Sequence, residues 1–200
     1  MPTLHALRRS PARAPAWRLA PLVLLLACAP KTRPAALTPA VPTLYAGLLQ
    51  PQAPGALAGP VPRAVQDEAT RLLVLRGLTP TVLPDTALRE GLGPARTHPQ
   101  RLAYLAAQPG GAGMLVMMET EAVFYAQIEG RNRWTVRVRL TIAPQDDLSQ
   151  ALVEEFDVPV FLQFLHEKEE RAVEEAGPLI ARRLAAALDE VVAARAAAPR

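Results

Sequence analysis

Residues 114 to 142 constrain the fold more than any other stretch. Met114, Val116, Met118, Ala122, Phe124, Ala126 and Ile128 share one parity, and Glu119, Glu121, Tyr125, Gln127 and Glu129 share the other. A period of two is the side-chain period of a strand, so this segment reads as a strand with one apolar and one polar face. Trp134, Val136, Val138, Leu140 and Ile142 alternate in the same way with Arg133, Thr135, Arg137, Arg139 and Thr141. Two such strands so close together predict an antiparallel hairpin. Both apolar sets are even-numbered, so an odd loop keeps them on one side of the sheet. Gly130-Arg131-Asn132 fits a three-residue loop, with Asn132 in the left-handed conformation.

The flanking segments supply the cover that a one-sided sheet needs. Thr43 to Gln50 reads as a first strand. A loop rich in Pro and Gly follows, and Pro62 opens a helix where its missing N–H costs nothing. Val65, Ala69, Leu72 and Leu73 form the apolar stripe of that helix, and Gly77 suits its end. Thr79 to Leu83 is a short strand. Asp85 caps a brief helical turn through Glu90, and Pro99 to Gln108 is a helix using Leu102 and Leu105. A third hairpin-side strand runs from Leu152 to Val160 with Phe156, Val158 and Val160 inward. Pro159 places it at an edge or ends it early. The last segment is helical, with Val173, Ala176, Ile180, Leu184, Ala187, Leu188 and Val191 on one stripe. The stripe keeps phase across Gly177-Pro178. This favours one helix kinked there over a second helix starting at Pro178. The fold class is therefore α+β: a single two-layer domain over residues 43–196. Its mixed sheet contains an antiparallel hairpin, its helices pack on one face, and the order is β-α-β-α-β-β-β-α.

The amino-terminal region has a different character. Arg8, Arg9, Arg13 and Arg18 precede the apolar run Leu19-Ala20-Pro21-Leu22-Val23-Leu24, which ends in Leu25-Leu26-Ala27-Cys28. Cys28 is the single cysteine of the chain, so no intrachain disulfide forms. The formal charge of +3 arises from this region. Without its four arginines, 18 basic residues face 19 acidic ones. That balance excludes the basic domain that nucleic-acid binding requires. The apolar run is also shorter than the roughly 20 residues of a spanning helix. Residues 28–42 include Pro30, Pro34, Pro39 and Pro42 and read as an extended tether.

Leu25-Leu26-Ala27-Cys28 resembles the lipobox of bacterial lipoprotein precursors. The resemblance implies that residues 1–27 are a signal peptide cut between Ala27 and Cys28. It also implies that the Cys28 thiol takes a diacylglycerol and that acylation, by palmitate for example, anchors the mature protein. By the sorting rules of that family, Ala29 implies delivery to the periplasmic face of the outer membrane. The element order of residues 43–194 resembles the small α/β domains of TolB amino-terminal and CsgG-like envelope proteins. That likeness is carried by Leu105-Ala106-Ala107 through Gly113-Met114-Leu115-Val116 and by Val136-Arg137-Val138-Arg139-Leu140. The same Arg-rich strand and Ala-rich final helix resemble auxiliary lipoproteins of lipid-transport ABC systems.

Residues suited to catalysis are sparse. Ser149 is the one serine after the leader, and a hydrolase triad requires His98 or His166 to reach it. Two histidines without paired spacing do not make a metal site, and no cofactor is expected. Pro109-Gly110-Gly111-Ala112-Gly113 lacks the ending and following helix of a phosphate loop and reads as a turn. His166 to Arg171 reads as a solvated helix face, with Glu167 and Arg171 at favourable spacing. Glu119 and Glu121 are a conceivable glycosidase pair, but Arg137 and Arg139 lie across the hairpin from them, and cross-strand ion pairs explain all four. The reading is a non-enzymatic envelope lipoprotein with an assembly or scaffolding role. Its partner is protein, not nucleic acid, and meets the face carrying Glu119, Glu121, Tyr125, Arg133, Arg137 and Arg139. A transport auxiliary and an envelope hydrolase are the alternatives.

Overall fold

Strand β1, Val41–Gln50, lies between neighbours on both edges, which is why its side chains from Tyr45 to Leu49 are buried. The computed structural model describes residues 40–53, 56–93, 97–109, 113–163 and 169–197. The leader, Cys28, most of the tether, Gly110 to Ala112 and His166-Glu167 lie outside these residues. β1 starts two residues inside the stretch expected to be tether. A two-residue strand β2, Gly59–Pro60, pairs antiparallel with its end.

Helix α1, Arg63–Leu75, follows Pro62, which is its cap. Its buried residues are the expected Val65, Ala69, Leu72 and Leu73. Gly77 comes just after the helix with φ of 74°, a conformation that costs glycine nothing. Strand β3, Leu78–Val82, then pairs parallel with the first half of β1. Helix α2, Asp85–Gly91, is capped by Pro84. Asp85, expected as the cap, lies instead in the first turn, where its charge still favours the helix dipole. Helix α3 is His98–Ala106.

Strand β4, Met114–Ile128, pairs parallel with β1 and antiparallel with β5, Arg131–Pro144. A 3₁₀ turn, Leu148–Gln150, leads to β6, Leu152–Leu162, which pairs antiparallel with β5 and forms the edge that Pro159 predicts. Helix α4, Glu169–Ala197, runs as one helix through Pro178. The sheet is six-stranded, with β2 and β3 on one side of β1 and the order β1-β4-β5-β6 on the other. The domain is thus α+β with a mixed sheet, as read from the sequence.

The two long helices pack on the expected face. Val65, Ala69, Leu72 and Leu73 of α1 and Val173, Ala176, Ile180, Leu184 and Leu188 of α4 join the even-numbered side chains of β4 and β5 in the larger core. The opposite face also has a core. Ala46 and Leu48 of β1 and Leu115 and Met117 of β4 pack against Leu88, Leu92, Leu102 and Leu105. From Met114 to Thr120 β4 is therefore buried on both sides. The expectation of a polar, solvated odd-numbered face applies only farther along the strand.

The hairpin turn also departs from the expectation. It is the two-residue pair Glu129-Gly130, with φ of 51° and 78°. Both central residues of such a primed turn need positive φ, which matches the twist of the strands. Asn132 lies in β5 and is buried. A register shift between Phe124 and Ala126 absorbs one residue of β4, so an even turn closes a hairpin whose apolar positions demand an odd one. Beyond it Ala126 and Ile128 pair with Arg133 and Arg131, and neither joins the larger core.

Tyr45 shows how tightly the larger core is packed. Its ring is fully buried, and its hydroxyl has no hydrogen-bond partner. A Cβ on Gly47 would lie 2.7 Å from that hydroxyl and 2.6 Å from Val61 Cγ2, so the glycine makes room for the ring. Burial pushes the Tyr45 phenol well above its ordinary range. The unfolded chain ionises this phenol near pH 10 while the folded chain keeps it neutral. Stability is therefore expected to fall as pH rises above about 10, with a slope approaching ~1.4 kcal/mol per pH unit. Tyr45→Phe removes an orphaned buried hydroxyl. It should leave neutral-pH stability unchanged or raise it by about 1 kcal/mol, and it should flatten the alkaline loss. Urea unfolding of both proteins from pH 7 to 11 measures this.

Candidate functional site

The second core closes around a carboxylate. Glu119 follows Leu115 and Met117 on the inward side of β4 and is 3% exposed. A buried carboxylate requires charge-assisted partners, because desolvation otherwise outweighs its folding gain. Helix α3 provides them. Gln100 Oε1 accepts from the Thr97 backbone N–H at 2.8 Å and fixes the start of the helix. His98 and Arg101 are three residues apart on that helix and so share a side. Arg101 Nη1 donates to Glu119 Oε1 at 2.6 Å, and His98 Nδ1 lies 2.5 Å from Glu119 Oε2. Gln50 Nε2 donates to Glu119 Oε1 at 3.4 Å. The other ring nitrogen of His98, Nε2, lies 3.4 Å from Thr141 Oγ1.

Hydroxyl, imidazole and carboxylate therefore stand in the order that nucleophilic hydrolases use. Thr141 is fully buried, however, beneath α3 and between strands. A substrate carbonyl has no approach to it, and the arrangement serves to hold α3 on the sheet. Ser149 does not join a histidine either. Its hydroxyl donates to Asp147 Oδ1 at 2.5 Å within the exposed 3₁₀ turn. That bond, with one from Gln150, holds the Asp147 carboxyl below its ordinary range, which weakens it as a base. Among the described residues no group of three or more His, Cys, Asp or Glu side chains is arranged to hold a metal ion.

The predicted partner residues divide into three sets. Glu119 is withdrawn into the buried cluster. Glu121, Arg137 and Arg139 remain on the open part of the same face. Tyr125 sits at the register shift and Arg133 just beyond it, and the Arg133 guanidinium lies 4.8 Å from the centre of the Tyr125 ring. Register places Glu119 opposite Arg139 and Glu121 opposite Arg137, as the sequence suggests. The ion pairs follow the β4–β5 register in one case and the β5–β6 register in the other, where Arg139 stands opposite Glu155. Arg137 Nη1 is 3.4 Å from Glu121 Oε2, but Arg139 Nε donates to Glu155 Oε1 of β6 at 2.6 Å. With Glu119 engaged by α3, Arg139 turns to the next strand. Glu121, Arg137, Arg139, Glu155 and Asp157 line an open cleft of about 290 Å³ beside the buried cluster. Its exposed pairs contribute little to stability, about 0–1 kcal/mol each.

Sequence reasoning missed His98 and Arg101 as partners of Glu119. The available signal was the i, i+3 spacing of two basic groups beside Leu102 and Leu105 on one helix. A second was the unbroken apolar run Met114-Leu115-Val116-Met117-Met118, which marks a strand covered on both faces.

No protein-family model matches the chain, and no curated protein matches it. Among solved structures it is similar to a minor lipoprotein from Acinetobacter baumannii, at 8% identity and a TM-score of 0.37 over 76% of this chain and 94% of that one. It is similar to a PelC dodecamer from Paraburkholderia phytofirmans at 14% identity and a TM-score of 0.34, over 74% and 86%. Rare lipoprotein B from Shewanella oneidensis matches at 8% identity and a TM-score of 0.29, over 76% and 93%. At these scores the likeness identifies neither a family nor an activity.

Removing one member of the buried pair leaves a charge without its partner. Arg101→Met is expected to cost about 3–5 kcal/mol, and adding Glu119→Leu should recover most of that loss. Chemical denaturation of the two single variants and the double variant checks this. Equal losses in Arg101→Met and in the double variant would refute the ion-pair account.

Proposed function

We propose that this protein is a lipid-anchored envelope lipoprotein whose α+β domain is a non-enzymatic assembly component, docking a protein partner through the open charged cleft. Cys28 carries the anchor after cleavage at Ala27. The tether sets the reach of the domain on the periplasmic side of the outer membrane. The observation that carries the docking role is the division of the sheet's second face. Over β1 and the first half of β4, helices α2 and α3 close it, and the Glu119 carboxylate is taken up by His98 and Arg101. Over the second half of β4 and over β5 and β6 it carries Glu121, Arg137, Arg139, Glu155 and Asp157 in the open. Interspersed charges of both signs suit electrostatic complementarity, which sets register and association rate more than affinity. Among the described residues no helix is long and apolar enough to cross a membrane, which is consistent with attachment by lipid. The element order that resembles TolB amino-terminal and CsgG-like domains supports the same reading.

A second reading, the auxiliary of a lipid-transport system, draws on one observation. An apolar cleft of about 450 Å³ lies between α1 and α4, lined by Val65, Ala69, Met118, Ile180 and Leu184 among others. It predicts co-purification with inner-membrane transport components.

Cys28→Ala is expected to abolish palmitate labelling in cells and to release the domain from the membrane fraction. Unchanged labelling refutes the anchor. Arg137→Glu with Arg139→Glu in the lipidated chain should reduce partner recovery from cross-linked detergent extracts at least tenfold while thermal unfolding stays within a few degrees. Full recovery by that variant refutes docking through this cleft.

A further inference from the structure

Beyond Ala122 the β4–β5 hairpin loses its burial. Phe124 is 41% exposed, Tyr125 67% and Ile128 39%, and Phe161, opposite Arg133 on β6, is 51% exposed. Large apolar side chains exposed together at one end of a molecule mark a contact surface. Their company is specific. Trp134 packs edge-on against Phe124 with ring centroids 5.6 Å apart. The Arg133 guanidinium covers Tyr125, and Arg131 is exposed beside the turn. The ring N–H of Trp134 and the Nε–H of Arg133 are buried donors with no acceptor among the described residues.

We infer that this end of the hairpin, from Phe124 to Trp134 with Phe161, seats in the headgroup layer of a phospholipid surface that contains anionic lipid. Two features favour lipid over a protein partner. Trp, Tyr and Phe with arginine are the side chains that settle at headgroup depth, where one end of each is apolar and the other wet. Charge is complementary, since Arg131 and Arg133 outnumber Glu129 and both bind phosphate oxygens. The inference rests on the proposed anchor for proximity. The 13 residues from Cys28 to Ala40 span at most ~47 Å, so a lipidated chain keeps the start of β1 within that distance of the bilayer.

Trp17 and Trp134 are the two tryptophans of the chain. Trp17 leaves with the proposed leader, and Trp17→Phe removes it from any uncleaved chain, so Trp134 is a native depth probe. The protein is purified from membranes and reconstituted in phosphatidylcholine–phosphatidylglycerol vesicles whose acyl chains are brominated near the headgroup. Trp134 emission is expected to fall at least twofold relative to unbrominated vesicles. Omitting phosphatidylglycerol should weaken that quenching, and Tyr125→Asp with Phe161→Asp should reverse at least half of it with unchanged thermal unfolding. Palmitate labelling of the same chain reports the anchor separately. Labelling without quenching overturns the membrane seat and leaves the anchor standing. Absence of labelling overturns the anchor, while quenching of that chain that the double substitution still reverses supports the seat alone. Cross-linking of position 125 to a protein, with no lipid quenching, assigns the tip to a protein partner and overturns the inference.

Discussion

The first seven residues of β4 have no side facing water, and the rest of the architecture follows from that. Met114 to Thr120 sits between β1 and β5 in the sheet and between two cores through it. Even-numbered side chains meet α1 and α4, and odd-numbered ones meet α2 and α3. Each buried aliphatic side chain contributes about 1.5–3 kcal/mol, so this one segment anchors a large share of both cores. Neighbouring backbone comes close to permit it. A Cβ on Gly113 would lie 2.4 Å from the Pro42 carbonyl oxygen, so only glycine admits the start of β4 beside β1. Leu48 accepts a hydrogen bond from the Thr120 hydroxyl at 2.9 Å at the far end of the same contact.

Burial on both sides creates the polar problem at Glu119. A carboxylate carried in behind Leu115 and Met117 needs counter-charge, and α3 is set on the sheet by providing it. The same bond network that looks like catalytic machinery is thereby spent on holding a helix. A fully buried hydroxyl, an imidazole with both nitrogens engaged and a carboxylate shared with arginine describe a fastening. The open charges lie farther along β4, at Glu121, and on the strands beyond it, at Arg137, Arg139, Glu155 and Asp157.

Farther along, β4 changes role. The register shift at Tyr125 rotates the end of the strand relative to its beginning, so alternation that is inward at Met118 no longer points at the core by Ile128. A bulge of this kind increases local twist and re-aims side chains. It divides the hairpin into a packed base, a charged middle and an aromatic tip. Residues that appear as one partner surface in sequence, from Glu119 to Arg139, become three environments with different physics.

Much of this architecture was legible in local pattern. The stripes of α1 and α4, the alternation of β5, the edge position implied by Pro159 and the phase kept across Pro178 all depend on residues within a few turns or a strand length of one another. The proposed leader and anchor at Cys28 rest on residue order alone, since charge, apolar length and a thiol are read without a fold. What alternation did not disclose was the second core. Leu115 and Met117 count against a polar face only once Leu88, Leu92, Leu102 and Leu105 are known to lie over them. Likewise Glu119 pairs with Arg101 and His98 through contacts 18 and 21 residues distant, which periodicity does not record. Parity arithmetic gave an odd loop because it assumed an unbroken ladder. The assembled sheet accepts a bulge and a two-residue turn instead, because twist and packing at the tip set the register there. Local spacing chose the elements. Long-range burial chose which charges were sealed in and which were left to solvent.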